Sequence, residues 1–171
     1  CFFVKETNTL YFDEEGIDNQ LKSEAIAKHI FQLKGISETI ELMVYSKKIE
    51  DFYAKGKEGF FNGKADIQIY YKMFEQTNSD KAIVISSGRT EAAIKYKELI
   101  FDLFRNGYSI YIHDHRGQGL SGRMTEDPEM GYIDTFQFYI DDMKYFYEEY
   151  LKPKRYKKTY LLAHSMGGAI G

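Results

Sequence analysis

The stretch L-L-A-H-S-M-G-G, residues 161–168, decides the fold. An apolar strand, T-Y-L-L-A-H over 159–164, runs straight into a small-x-Ser-x-Gly turn, and the residues behind it start a helix. A serine in such a turn has a strained backbone, so the residues two before and two after it must be small. Ala163 and Gly167 fill those places. The turn lifts the Ser165 hydroxyl clear of the sheet, at a helix N-terminus whose dipole and free N–H groups favour a developing oxyanion. Ser165 is therefore a candidate nucleophile, the alternative being a serine in an ordinary strand-to-helix turn.

Outward from this turn the chain alternates strand and helix. Lys81–Ser86 (K-A-I-V-I-S), Tyr108–His113 (Y-S-I-Y-I-H) and Thr159–His164 read as buried strands. Between them lie a helix over 92–105, ending at Asn106-Gly107, and a longer one capped by Asp134 or Thr135. On the second, Phe136, Ile140, Met143, Phe146 and Tyr150 recur every three to four residues, and Pro153 stops it. Continuous apolar strands alternating with helices imply an α/β fold with a parallel sheet covered on both faces. Upstream, Glu58–Asn62, a turn at Asn62-Gly63 and Ile67–Phe74 predict an antiparallel hairpin that extends one sheet edge. Leu21, Ala25, Ile26, Ile30 and Leu33 follow helical spacing, with Gly35 as C-cap, and residues 38–54 suggest a second helix. The expected organisation is a helical extension over 1–55 and a core over 56–171.

The 171 residues suffice for one domain with a real core. The net charge of −3 argues against nucleic acid as the main partner, because phosphate binding needs a basic surface. With 15 Tyr, 13 Phe and no Trp, the core is expected to be rich in rings. No apolar run approaches the ~20 residues of a membrane span. The one cysteine, Cys1, excludes both an intramolecular disulfide and a cysteine-based zinc site. It stands where an initiator methionine is expected. One reading is a lipoprotein anchored at the membrane or cell envelope through a lipidated Cys1; the other is a cytoplasmic protein whose sequence merely begins there.

Two further stretches sit where chemistry is expected. Ser87-Gly88-Arg89-Thr90-Glu91 follows the first of the three buried strands, and a plain turn with an exposed Arg89 is its simplest reading. His113-Asp114-His115-Arg116-Gly117-Gln118-Gly119-Leu120-Ser121-Gly122-Arg123 lies at the C-terminal end of the second, where open α/β sheets place their sites. Asp114 with either histidine could relay a proton, or the two histidines could hold a metal. Two His and one Asp within three residues rarely converge on one ion without a ligand from elsewhere. A structural loop whose charged side chains pin the turn is the preferred reading. His164 points away from the turn and is not read as the base for its neighbour Ser165; His29 is an ordinary helix residue.

Together, S-S-G-R-T-E…K-Y-K-E-L (86–99), D-H-R-G-Q-G-L-S-G-R (114–123) and A-H-S-M-G-G (163–168) resemble the lysophospholipase and monoacylglycerol lipase family of α/β-hydrolases, its bacterial lysophospholipase branch especially. D-H-R-G-Q-G-x-S is the most specific of the three. Ser87-Gly88 stands where the family has His-Gly or Pro-Gly, and Ala163 where it has Gly. The resemblance implies an α/β-hydrolase fold truncated after the nucleophile turn. It also implies carboxylester hydrolysis of a monoacyl glycerolipid, with Ser165 as nucleophile and the backbone amides of Arg89 and Met166 as the oxyanion hole. No metal or organic cofactor is implied; residues 1–55 carry none of these motifs, and any peripheral membrane or partner contact is expected there. In this fold the triad runs Ser, then Asp or Glu, then His. Six residues follow Ser165, none of them acidic or His. The acid and base are expected from beyond residue 171, and the chain by itself lacks a complete triad. Two rivals stay open: a non-catalytic lipid- or protein-binding module on a degenerate core, and a serine hydrolase acting on thioesters or peptides.

Overall fold

The computed structural model describes residues 2–4, 9–11, 38, 42–128 and 130–171. The chain divides into two compact units, Cys1–Lys47 and Lys48–Gly171. In the first, β1 (Phe2–Val4) pairs antiparallel with β2 (Thr9–Tyr11), with Phe3 opposite Leu10. This strand pair lies within the stretch expected to be helical. The helix expected over Leu21–Leu33 falls outside the described residues. Glu38 and residues 42–53 (α1) are helical, as the spacing predicts. The division comes earlier than the expected 55/56 boundary because Phe52 belongs to the core of the second unit. Its ring stacks on Phe74 at 4.9 Å and meets Phe104 at 4.8 Å. Among the described residues no helix is long and apolar enough to cross a membrane.

The second unit is built on five strands: β3 (Lys57–Asn62), β4 (Gln68–Phe74), β5 (Lys81–Ser86), β6 (Ser109–His113) and β7 (Lys158–Ala163). Their order is β3-β4-β6-β5-β7. The hairpin β3–β4 and the β4–β6 pair are antiparallel; β6, β5 and β7 run parallel. Helix α2 (Lys97–Arg105), entered through a 3₁₀ turn at Ala93–Tyr96, connects β5 to β6, and α3 (Gln137–Phe146) lies between β6 and β7. The short α4 (Met166–Ile170) follows β7. The sheet is mixed, with the expected hairpin at one edge and three parallel strands beside it.

Alternation along the strands separates two cores. Ile69, Tyr71 and Met73 of β4, Val84 of β5 and Tyr111 of β6 pack with Phe146 and Leu151. Tyr70, Phe74, Ile83, Ile85, Ile110 and Ile112 pack with Ile100 of α2. The first core is ring-rich, as composition predicts. Phe146, with no exposed surface, has the rings of Phe61, Tyr71 and Tyr150 within 6.0 Å.

Three local expectations are corrected. The β3–β4 connection spans Gly63–Ile67 rather than turning on Asn62-Gly63, with Ala65 and Asp66 left-handed. Distant partners hold it open: the Lys64 amide donates to Asp142 and the Lys64 carbonyl accepts from Arg116. Second, α3 loosens before Pro153, through a π turn at Tyr147–Leu151 and a 3₁₀ turn at Lys152–Lys154. Proline lacks the N–H that a regular last turn needs. Third, β7 is exposed, with Tyr160 at 44% and Leu161 at 45%. Among the described residues it pairs only with β5 and lies at the sheet edge.

Two buried histidines make the fold sensitive to acid. His113 and His115 stack edge to face at 4.9 Å, and neither ring nitrogen of His113 has a hydrogen-bond partner among the described residues. Burial depresses both; His115 falls to about 4, with its bond to the Ser87 carbonyl opposing burial only in part. The unfolded chain, with histidines near their ordinary ~6.5, therefore takes up protons that the native state refuses. Stability should fall as pH drops from about 6.5 towards 4. Asp114, pushed above 3.8 by burial, works in the opposite sense. Glu91, held far below the carboxylate range by Lys95 and Tyr96, gives up its share only at more acidic pH. Thermal unfolding followed by circular dichroism should show the midpoint falling between pH 7 and 4.5, and falling less in His113→Leu.

Candidate active site

β5 and β7 are parallel neighbours with Ser86 opposite Ala163, so the segments following them leave adjacent strand ends. After β7 the His164 amide still donates to the Ser86 carbonyl at 3.0 Å. At Ser165 the backbone turns to φ 51°, ψ −118°, and α4 begins at the next residue. A non-glycine residue in this region is strained and persists only where its surroundings over-determine it. Here the Gly167 amide donates to the His164 carbonyl at 2.9 Å, and Gly168 donates to Ser165 at 2.9 Å. The Ser86 hydroxyl donates to the Gly167 carbonyl at 3.1 Å. Gly167 must be glycine: a Cβ there would stand 2.1 Å from the Ser86 carbonyl oxygen. The turn leaves Ser165 exposed at the N-terminus of α4.

Met166 is the first residue of α4, where the amide has no intrahelical acceptor. Arg89 lies in the turn after β5, exposed, between buried Gly88 and left-handed Thr90. Both therefore sit on the two segments that leave the adjacent strand ends.

Two side chains that sequence reading passed over hold this turn. Glu91, 8% exposed, accepts from the Gly88 amide at 2.7 Å and is engaged by Lys95 and Tyr96. It also binds His164 Nδ1 at 3.1 Å, which ties the residue before Ser165 to the β5 turn. Gln118 reaches in from the loop after β6. Its Nε2 donates to the Gly88 carbonyl at 3.2 Å, and its Oε1 accepts from the Thr90 amide. A carboxylate three residues beyond a glycine turn was the available signal for Glu91. The contact of Gln118 spans about thirty residues and had none.

The loop after β6 is held by its own charged groups. Asp114 accepts from the Ala93 amide at 2.6 Å and the Leu120 amide at 2.8 Å, which leaves no room for a side chain at left-handed Gly119. Ser121 links the Asp114 carbonyl to the Tyr70 amide. His115 Nε2 donates to the Ser87 carbonyl at 3.1 Å. Arg116, with no exposed surface, grips Asp142 of α3 by two bonds at 2.7 and 2.8 Å, and its guanidinium lies 4.8 Å from the Phe138 ring. The two histidine rings stay in edge-to-face contact while Asp114 turns away to the Ala93 and Leu120 amides; His113 also meets the Phe146 ring, and His115 bonds to the turn after β5. Among the described residues no three His, Cys, Asp or Glu side chains gather as a metal site would require.

The two glycines after Ser165 separate a steric requirement from a propensity. Gly168 has open space where a Cβ would go. Gly168→Ala should be tolerated and should favour α4 by up to about 1 kcal/mol. Gly167→Ala should unfold the turn or the protein. Thermal unfolding of the two variants checks this pair.

A family-wide comparison matches residues 77–171 to the Hydrolase_4 family, described as serine aminopeptidase, S33. Over 122 residues the chain is 43% identical to lysophospholipase L2 of Escherichia coli strain K12, a match covering 71% of this chain and 36% of that protein. It is 29% identical over 103 residues to monoglyceride lipase of Rattus norvegicus, covering 60% of this chain and 32% of the relative. The chain thus spans about a third of the length of these relatives. A soluble variant of monoglyceride lipase from Saccharomyces cerevisiae, solved with a substrate analog, superposes with a TM-score of 0.56 at 23% identity, over 67% of this chain and 37% of that one. That likeness shows the α/β-hydrolase fold. The chain belongs to the Hydrolase_4 family of α/β-hydrolases, and its sequence relatives there are lysophospholipases and monoglyceride lipases.

Proposed function

We propose that this protein is a serine carboxylester hydrolase that releases fatty acid from a lysophospholipid or a monoacylglycerol. The observation that carries the reading is the left-handed Ser165 at the start of α4, beside the turn that follows β5. In this mechanism the Ser165 hydroxyl attacks the ester carbonyl, its proton passes to a base, and the carbonyl oxygen becomes an oxyanion. The Arg89 and Met166 amides receive that charge, worth about 3 kcal/mol for each such donor. Collapse expels the glycerol-bearing alcohol and leaves an acyl-enzyme, and water then frees the fatty acid and restores Ser165. The step needs a histidine base and an acidic partner, which this fold places after the nucleophile in chain order. The second compact unit, Lys48–Gly171, is part of that hydrolase core in this reading.

The substrate's acyl chain belongs at a lipid surface, and contact there is peripheral in this reading. A cavity of about 470 Å³ bordered by Tyr53, Ile94 and Leu120 supports such contact. Ile94 and Leu120 are 62% and 65% exposed. Exposed apolar groups beside a cavity suit a lipid surface better than water.

The test uses the full-length protein. A fluorophosphonate should label Ser165 stoichiometrically, and Ser165→Ala should abolish labelling and lower fatty-acid release from monoacyl lipids more than a thousandfold, with an unchanged unfolding midpoint. A folded full-length protein that resists the probe would favour a binding module instead.

A further inference from the structure

A second cavity, of about 320 Å³, opens beside the proposed oxyanion turn and is lined by Arg89, Gln118, Arg123, Gly131, Tyr132 and Tyr139, among others. Among the described residues its charge is unbalanced. Arg89 has no ion-pair partner among the described residues, and its guanidinium lies over Gly131, whose Cβ position is 3.3 Å from Nη2. Arg123 donates to three carbonyls, those of Ser121, Pro128 and Gly119, so its bonds fix its place and leave its charge intact. Arg116 also borders the cavity, but Asp142 neutralises it. The one carboxylate among the lining residues, Glu91, is engaged by Lys95, Tyr96 and the Gly88 amide. Asp134 is bonded to the Tyr132 hydroxyl at the rim. Asp114, which feels the field of Arg123, spends both oxygens on backbone amides.

Two guanidinium groups with no carboxylate partner among the described residues, set in a concave polar space, suit an anion. We propose that Arg89 and Arg123 form the subsite for the phosphodiester headgroup of a lysophospholipid, and that they set the preference for such lipids over neutral monoacylglycerols. The inference rests on the hydrolase reading above and deepens it. Arg89 then has two roles: its amide faces the reacting carbonyl and its side chain takes the charge one headgroup away. A monoacylglycerol carries a hydroxyl where the phosphodiester would sit and leaves both cations unpaired.

The experiment compares kcat/KM of the full-length protein for palmitoyl lysophosphatidylcholine and for monopalmitoylglycerol. A charge-assisted bond contributes about 1.5–3 kcal/mol, or roughly tenfold to a hundredfold. The ratio of the two values should fall at least about tenfold in Arg123→Met and in Arg89→Met, and Arg123→Lys should recover part of it. An unchanged ratio would overturn the proposal. Binding is read separately, by the rise in unfolding midpoint with glycerophosphocholine, inorganic phosphate or glycerol. Glycerophosphocholine should stabilise the protein, glycerol should not, and the Met variants should lose the effect. Stabilisation by inorganic phosphate alone would mark a free-anion site and overturn the headgroup assignment. If neither lipid is cleaved and no probe labels Ser165, the hydrolase reading falls, while the glycerophosphocholine result still decides the subsite.

Discussion

The loop after β6 buries Asp114, His115, Arg116, Gln118 and Ser121, polar or charged side chains that must find partners away from water. Unpaired, a buried amide or carboxylate costs on the order of 1–3 kcal/mol or more. The loop meets most of this by bonding to what surrounds it: Asp114 to the start of the α2 segment, Ser121 to β4, Arg116 to α3, His115 and Gln118 to the turn after β5, with His115 Nδ1 and Arg116 Nη1 left without a partner among the described residues. What is a solvation requirement for one loop is therefore a positional restraint on the site. The Gly88–Glu91 turn cannot drift without stranding the partners of Gln118 and His115. The Arg116–Asp142 pair adds rigidity more than net stability, since burying two charges offsets most of their attraction.

A second restraint meets the first at Gly167. Its close approach to the Ser86 carbonyl forces the chain to turn tightly over the end of β5, and Ser165 takes up the strain. Glu91 joins the two restraints by holding Gly88 with one oxygen and His164 with the same one. Ser165 and the proposed oxyanion turn are in this way referenced to one strand end, which is the preorganisation that the proposed acyl transfer requires.

The frame and the serine turn were legible in the residues because both are local. Continuous apolar runs between glycine and asparagine stops mark β5 and β6, and the small residues around Ser165 are dictated by sterics within five positions. The exposure of β7 was not legible, since its apolar run reads as buried whether or not a neighbour covers it. The conformation of the β3–β4 connection was hidden too, because Arg116 and Asp142 hold it from 52 and 78 residues away. Gln118 escaped for the same reason. In the sequence it is one polar residue in a glycine-rich loop, and only the fold shows that it faces Gly88 and Thr90.

The central claim is that this loop serves the reaction by position and touches no reacting atom. Gln118→Ala in the full-length protein tests it most directly, with the rate of fluorophosphonate labelling at Ser165 and the unfolding midpoint measured together. The account predicts labelling slowed at least about tenfold with the midpoint lowered by only a few degrees, because a misplaced oxyanion turn affects the transition state more than the fold. Labelling at the wild-type rate in a folded Gln118→Ala protein would contradict it.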